Sequence, residues 1–421
     1  MLNIDIKGVL KKKSVNNGLW LYALQFFNTI IPLITIPYIT RILGAEQYGV
    51  FSLALNFTSY LQVAVEYGFA LSATRQVAFL KNDKDLSKLF VSVISARFIL
   101  YFISLIATGC YVLLTNRSQE FYLCLVVLSV SLIGYCFQEN WLFQGKQEMR
   151  FISISSIIAR SITTIAIFCF VKTKKDILLY CILYSLSPVV TNMLGTIIAI
   201  IRYRITFVHL GIKDIFFTLK DGMYIFFTNL SAKVFGAIGV TILGVFGTEY
   251  QVGVYSALYK IPYILMLLWQ PIAQVLYPIS SKKIIDSYDD GRAFICKVRN
   301  YCLFIFGFIA ILVAAFCKPL AQLLFGEEYS QYYYIILPLL IWMLLGILNN
   351  FIGIQTLVGS GHDKEYSKAF QIGVVCTVLI NLVLIRLFNI IGTAFAPMLS
   401  EAVLCFLLIR QVKKVNRSIQ E

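Results

Sequence analysis

Apolar runs of about twenty residues, the length that crosses a ~30 Å hydrocarbon core, recur from one end of the chain to the other with short polar stretches between them. They predict helices over roughly 19–39, 48–69, 89–114, 121–143, 151–171, 177–200, 223–246, 251–278, 301–317, 332–357, 369–387 and 392–409. The pattern is that of an all-α polytopic membrane protein with about twelve transmembrane helices. No soluble domain of roughly 50 residues fits between the runs, so the bundle occupies the whole sequence. The basic start, with Lys7, Lys11, Lys12 and Lys13 before the run Leu19 to Ile39, resembles a signal peptide. Its apolar part is too long and no small-residue cleavage pattern follows, so it reads as a retained first span.

An internal repeat appears in two polar connections. Gly44-Ala-Glu46-Gln-Tyr-Gly49-Val-Phe51-Ser52 lies between the first and second runs, and Gly247-Thr-Glu249-Tyr-Gln-Val-Gly253-Val-Tyr255-Ser256 between the seventh and eighth. The chain therefore divides into a six-helix half at 1–210 and a second at 211–421, in pseudo-twofold relation. Six spans per half keep both copies pointing the same way across the membrane. Parallel repeats of this kind belong to transporters, whose substrate site lies between the halves. Prolines are expected to interrupt span 1 (Pro32, Pro37) and span 8 (Pro262, Pro271, Pro278), with others at Pro188, Pro338 and Pro397. Each removes a helical hydrogen bond and offers a bend for alternating access.

Composition sharpens this picture. Hydrophobic residues make up 59% of the 421 positions and charged ones 14%, against roughly 25% charged in soluble domains. The net charge of +15 raises the question of nucleic acid. Its distribution answers it. Connections on the side of the N-terminus hold 25 Lys and Arg, and those on the opposite side hold 7. That is a positive-inside bias, which places both termini in the cytoplasm and leaves no nucleic-acid footprint. Lys172, Lys174 and Lys175 are the exception, three basic residues in one outer loop. The ten cysteines are scattered without CxxC spacing, so they predict neither a metal site nor a disulfide framework. His209 and His362 fall in polar connections, which argues against a catalytic histidine.

Seven ionisable residues fall inside the predicted spans: Glu66, Arg97, Glu139, Arg160, Lys233, Lys260 and Glu401. A charge at the bilayer centre costs about 2.5–3.5 kcal/mol on insertion scales and usually faces the bundle interior or a wet cavity. At a 1.5 Å rise per residue, Arg160 and Lys233 lie about 15 Å from the ends of their spans, at the midplane. Lys260 and Glu401 are nearly as deep, Arg97 is shallower, and Glu66 and Glu139 sit near the cytoplasmic ends. Arg160, Lys233, Lys260 and Arg97 are the candidates for a cationic substrate cavity. Glu66, Glu139 and Glu401 are candidates for ion coupling or for charge pairing within the bundle. Pairing among themselves is the competing role for all seven. Asn56, Asn229, Gln270, Gln274, Asn349, Asn350, Gln355 and Trp269 are further candidates, to line a polar path or to glue helices together. The sequence GxxxxGK[ST] of P-loop ATPases is missing, as are HExxH and an EF-hand loop. The longest outer connection, about fourteen residues at 318–331, leaves little room for catalysis outside the membrane. The expectation is a protein that is not an enzyme and needs no cofactor or metal.

The region from Leu19 to Ala78, with Ile31-Pro32, Pro37-Tyr38, Arg41-Ile-Leu-Gly44, Tyr48-Gly49 and Gly68-Phe-Ala-Leu-Ser-Ala-Thr-Arg75, resembles the start of bacterial O-antigen flippases. These form the polysaccharide-transporter branch of the multidrug/oligosaccharidyl-lipid/polysaccharide exporter superfamily. Trp141-Leu-Phe-Gln-Gly145, Asn381-Leu-Val-Leu-Ile385 and Gly392-Thr-Ala-Phe-Ala396 leading to Ser400-Glu401 extend the resemblance over nearly the whole chain. It implies a flippase of the bacterial inner membrane. Such a protein moves an undecaprenyl-diphosphate-linked oligosaccharide repeat unit to the outer leaflet by alternating access, for O-antigen or capsular polysaccharide assembly. It further implies coupling to H⁺ or Na⁺, contact with membrane lipids, and a glycan polymerase and chain-length regulator as partners. Two alternatives stay open on the residues alone. A drug or small-cation antiporter of the same superfamily would favour deep carboxylates, and a membrane-embedded glycan-assembly enzyme would need an outer catalytic loop.

Overall fold

The structure, a computed structural model, describes residues 6–80 and 82–420. Met1 to Asp5, Lys81 and Glu421 lie outside the described residues, as do the side chains of Lys7 and of Lys11 to Lys13, so the basic N-terminal segment is assessed from sequence only. Among the described residues the chain is helical throughout, without strands. Long apolar segments require this, because a backbone in hydrocarbon must satisfy its own hydrogen bonds. Ten helices are long and apolar enough to cross a membrane. Two of them, Ala23–Phe79 and Asp363–Arg417, contain 57 and 55 residues. Each would be more than ~80 Å long if straight, well over twice the hydrocarbon thickness. Each also carries a break: Gly44 at φ 74°, ψ 174°, and Asn389 at φ 47°, ψ −123°. Glycine and asparagine are the residues that tolerate positive φ best. At the second break the backbone is so tight that a Cβ on Gly392 would sit 2.0 Å from the Leu384 carbonyl oxygen.

The prolines behave differently from expectation. Helix runs through Pro32 and Pro37, and through Pro188, Pro271, Pro278 and Pro397. The interruptions fall elsewhere. The predicted span 121–143 is three short helices, Gln119–Val130, Ile133–Cys136 and Asn140–Gly145. The connection predicted at 70–88 contains the helix Phe69–Phe79. The end of the tenth predicted span is a π-helical stretch, Phe351–Val358.

The chain forms two compact units. The first contains residues up to Thr35 and Ala54–Lys233, and the second contains Ile36–Leu53 and the residues from Val234 onward. They differ from the halves drawn at 210 and 211 by two segments, 36–53 and 211–233. The helices Ile6–Glu66 and Ile212–Phe246 both pass from one unit to the other along their length.

In the first unit the core gathers Phe69, Phe90, Trp141 and Phe143. The helix Phe69–Phe79 packs on Asn140–Gly145, where Thr74 Oγ1 donates to the Trp141 carbonyl at 3.0 Å. A Cβ on Gly145 would lie 2.5 Å from Val77. The start of Ile212–Phe246 is tied to the same unit by Arg75–Asp221 at 2.9 Å and Lys88–Asp214 at 2.8 Å. There Gly222 leaves room for the Tyr67 ring, which stacks on Phe226 with centroids 4.7 Å apart. The helix Asp83–Leu114 shows how such a unit is polarised. Ser92, Arg97, Ser104 and Thr108 are buried, while Phe102, Ile103, Ile106 and Leu113 are exposed. Hydrocarbon solvates the exposed face as well as a core would, so the polar residues turn inward to find partners.

In the second unit the two repeat motifs meet. A Cβ on Gly49 would stand 1.7 Å from the Glu249 carbonyl oxygen, and one on Gly253 would stand 1.8 Å from that of Ala45. Each glycine thus faces the residue four positions before its counterpart, so the contact is reciprocal. Nearby, the Ala45 N–H donates to the Glu328 carboxylate at 3.2 Å. Arg41 donates to the carbonyls of Gln322 and Leu323.

Candidate functional site

Within the first unit the broken helix at 131–139 organises a buried charge cluster. Breaking a helix frees carbonyls that hydrocarbon cannot satisfy. Thr196 Oγ1 takes the Phe137 carbonyl at 2.7 Å, and Arg97 donates to that of Gln138. Arg97 is 1% exposed and its guanidinium lies 5.5 Å from the Phe69 ring centroid. It is committed to the protein. Glu139, 2% exposed, sits at the break itself. Neither of its carboxylate oxygens has a hydrogen-bond partner among the described residues. Arg97 is its electrostatic counter-charge. Glu66 completes the group, accepting from Gln62 Nε2 at 2.9 Å and from Gln138 Nε2 at 3.5 Å, within electrostatic reach of Arg97 and Lys233.

Two cations of this unit are differently placed. Arg160 stands at the middle of the helix Arg150–Phe170, about 15 Å from either end at the helical rise. It is half-buried, with Tyr135 and Tyr184 as its electrostatic neighbours. Lys233 is half-buried, its Nζ 5.9 Å from the Tyr60 ring centroid. Among the described residues the ion pairs are Arg75–Asp221, Lys88–Asp214 and Arg202–Glu148. Neither Arg160 nor Lys233 belongs to one.

The second unit holds Lys260 and Glu401. Glu401, 7% exposed, is fixed by Asn349, whose Nδ2 donates to its carboxylate at 2.6 Å and to its backbone carbonyl at 2.9 Å. Lys260 is half-buried, its Nζ 5.5 Å from the Tyr263 ring centroid. Several of the predicted lining amides act as glue. Gln355 Nε2 donates to the Ala273 carbonyl at 3.1 Å, and Asn229 Nδ2 to that of Tyr67 at 3.3 Å. Trp269 is buried against Phe351. Among the described residues no group of three His, Cys, Asp or Glu gathers to hold a metal ion.

Tyrosine is expected from the sequence as a lining residue type, but no individual tyrosine could be assigned. Tyr60, Tyr135, Tyr184 and Tyr263 each neighbour a deep cation. Tyr263 follows Lys260 by three positions, a helical spacing that brings side chains together, and was the one signal available. The others come from distant segments.

Within the first unit, Arg160 and Lys233 are half-buried cations outside the ion pairs of the described residues, a chemistry able to hold an anionic group. A family described as "Polysaccharide biosynthesis protein" matches residues 14–283. The chain is 28% identical over 398 residues to the "Putative O-antigen transporter" of Escherichia coli (strain K12), covering 94% of this chain and 96% of that protein. It is 23% identical over 400 residues to a protein of the same name from Shigella dysenteriae, covering 94% and 99%. Among solved structures, a lipid II flippase MurJ in an inward closed conformation superposes with a TM-score of 0.78 at 14% identity, over 94% of this chain and 87% of that one. At such identity the likeness speaks for the fold alone, an all-helical polytopic bundle. With well over half of its residues matched, the chain belongs to the polysaccharide biosynthesis protein family.

Proposed function

We propose that this protein is a flippase that carries undecaprenyl-diphosphate-linked oligosaccharide repeat units from the cytoplasmic to the outer leaflet of the bacterial inner membrane, for O-antigen or capsular polysaccharide assembly. The observation that carries the reading is the set of half-buried cations well inside the predicted spans, Arg160, Lys233 and Lys260, in a chain of this family. A diphosphate bears about two negative charges. A cation ~4 Å away contributes roughly 4 kcal/mol at an effective dielectric of about 20, which offsets part of the cost of taking it through the membrane. The prenyl tail remains in lipid, where it needs no protein. Arg97, by contrast, serves the broken helix. Glu66 beside Lys233 is the carboxylate best placed to compete with a bound anion, and so to couple ion and substrate. A glycan polymerase and a chain-length regulator would receive the product.

The test is deletion of the gene with the lipid-linked sugars then followed by leaflet. Surface polysaccharide should fall to background while complete repeat units accumulate on the cytoplasmic leaflet. Repeat units that reach the outer leaflet unpolymerised would point to a polymerase and refute the assignment.

The topology proposed with it has twelve crossings, two six-helix halves and both termini in the cytoplasm, resting on the 25-to-7 distribution of Lys and Arg. Reporter fusions in 201–222, in 279–300 and after Glu421 are expected to read cytoplasmic, and fusions in 115–120 and 318–331 external. A cytoplasmic reading at 318–331 is incompatible with two halves of six.

A further inference from the structure

The last helix of the second unit changes character where it leaves the apolar core of the membrane. Beyond the break at Asn389, the helix Asp363–Gln420 continues without another. About twenty residues carry it from there to Arg410, a rise of ~30 Å and one hydrocarbon thickness. Arg410, Lys413, Lys414 and Arg417 then follow at i, i+3, i+4 and i+7. At 3.6 residues per turn these positions share a sector about 100° wide. All four side chains are exposed. Leu404, Leu408, Val412 and Val415 occupy the opposite face and pack into one core with Leu357 and Ala369. Near the end of the helix Asn416 meets the Tyr288 hydroxyl at 2.6 Å, which ties it to the helix Tyr288–Ala315. The acids nearest that contact, Asp289 and Asp290, lie on the neighbour, and the last acid on the helix itself before the stripe is Glu401. The ion pairs among the described residues lie elsewhere.

What the stripe faces follows from the helix before it. Phe395, Leu399 and Phe406 fall in the same sector and are 42%, 39% and 66% exposed. Large apolar side chains turned outward within a span are solvated by acyl chains. One continuous face thus passes from phenylalanine to arginine within about one turn, at the depth where hydrocarbon gives way to headgroups. At the helical rise Lys413 and Lys414 stand ~5 Å beyond Arg410, and Arg417 ~10 Å beyond it. The headgroup layer is about 5–8 Å deep and charge acts over a further ~8 Å in physiological salt, so all four cations reach it. A positive-inside bias asks only for cations somewhere in a connection. It does not ask that they share one face, or that the face continue a lipid-facing one.

We propose that Arg410, Lys413, Lys414 and Arg417 form a binding face for the headgroups of anionic phospholipids in the cytoplasmic leaflet. Guanidinium groups can take phosphate oxygens in pairs and the ammonium groups serve as point charges. This face depends on the cytoplasmic placement of the C-terminal end argued above, and is independent of what the protein transports.

The experiment uses the purified full-length chain in detergent, incubated with equal amounts of phosphatidylglycerol and phosphatidylethanolamine, with retained lipid counted by native mass spectrometry. A basic residue near anionic lipid is worth about fivefold. Where four of them share headgroups, the wild type should retain phosphatidylglycerol about tenfold over phosphatidylethanolamine. Replacing all four by glutamine should bring that ratio within about twofold of parity. Arg410→Lys with Arg417→Lys keeps the charge and should keep the preference, which separates loss of the face from loss of the fold. As a control, Lys84→Gln, Lys282→Gln, Lys297→Gln and Lys364→Gln together remove four exposed cations from other connections. The ratio should then stay within about twofold of wild type. No preference in the wild type, an undiminished preference in the four-glutamine variant, or an equal loss in the control overturns the binding face. Displacement of phosphatidylglycerol by an equal concentration of farnesyl diphosphate overturns it as well, by assigning these cations to a prenyl diphosphate. A reporter after Glu421 that reads external overturns the cytoplasmic placement, and the proposal with it, whatever the lipid ratios.

Discussion

Gly49→Leu and Gly253→Leu are each expected to leave almost no folded protein in the membrane. A Cβ at either position would fall 1.7–1.8 Å from a carbonyl oxygen of the facing helix, which is inside covalent-contact range and cannot be relieved by a side-chain rotation. The obstacle is backbone on both sides. Overpacking a core with an adaptable neighbour costs about 1–3 kcal/mol. Here whole helices must separate, so even alanine should cost about 3 kcal/mol or more, and leucine should exceed the ~5–15 kcal/mol that holds a typical protein folded. Gly109, Gly236 and Gly307 provide the contrast, as a Cβ at each meets nothing within 4 Å. Alanine there should be neutral or stabilising by up to ~1 kcal/mol, since glycine is a weak helix former. Detergent-extracted yield and thermal unfolding of monodisperse protein measure both sets. Wild-type yield and melting for Gly253→Leu would show that the repeat motifs do not meet in this way.

That contact also shows how far the sequence could be read. The repeat was visible as two similar nine- and ten-residue stretches, but nothing in them announced that each glycine exists to admit the other's backbone. Membrane helices were legible because hydrocarbon imposes long apolar runs whatever their packing. Breaks were not. Proline was the local signal for a bend, yet helix continues through Pro188, Pro271 and Pro397, which membrane helices tolerate where other groups satisfy the freed carbonyl. The break at 137–139 lies in a stretch without proline. It is stabilised from elsewhere in the chain, by Thr196 and Arg97 on two other helices. Arg97 shows the same limit in the candidate site. The sequence groups it with Arg160, Lys233 and Lys260, and only the tertiary structure shows its guanidinium buried on the Gln138 carbonyl while the other three are half-buried. Several residues that carry the family resemblance likewise resolve as packing: Gly68 against Gly222, Gly145 against Val77, and Thr74 on the Trp141 carbonyl. Motifs of this kind identify a fold more directly than a site.

The double variant Arg160→Ala, Lys233→Ala is expected to abolish surface polysaccharide while most of the protein still reaches the membrane. An apolar residue at midplane depth is easier to insert than a charge, so the loss of protein is small beside the loss of transport. Each cation within ~4 Å of a diphosphate contributes roughly 4 kcal/mol at an effective dielectric of about 20. If a third of that survives screening, each single alanine variant should lower flipping about tenfold. The two residues should differ in one respect. Lys233 shares an electrostatic field with Glu66, whereas Arg160 has tyrosines as its neighbours. Losing Lys233 leaves Glu66 less compensated, so Lys233→Ala should cost some folded protein and Glu66→Gln should restore it without restoring transport. Arg160→Ala should show the transport defect alone. Lys233→Arg, which keeps the charge, should be milder than Lys233→Ala, and Arg160→Glu worse than Arg160→Ala because it repels the anion. A purely structural role for these charges predicts the opposite pairing: protein lost in proportion to activity, and both regained when Glu66 is neutralised. The measurements are surface glycan by gel, protein by immunoblot, and lipid-linked repeat units by leaflet. Normal flipping by a well-expressed double variant would remove the cationic site from the mechanism.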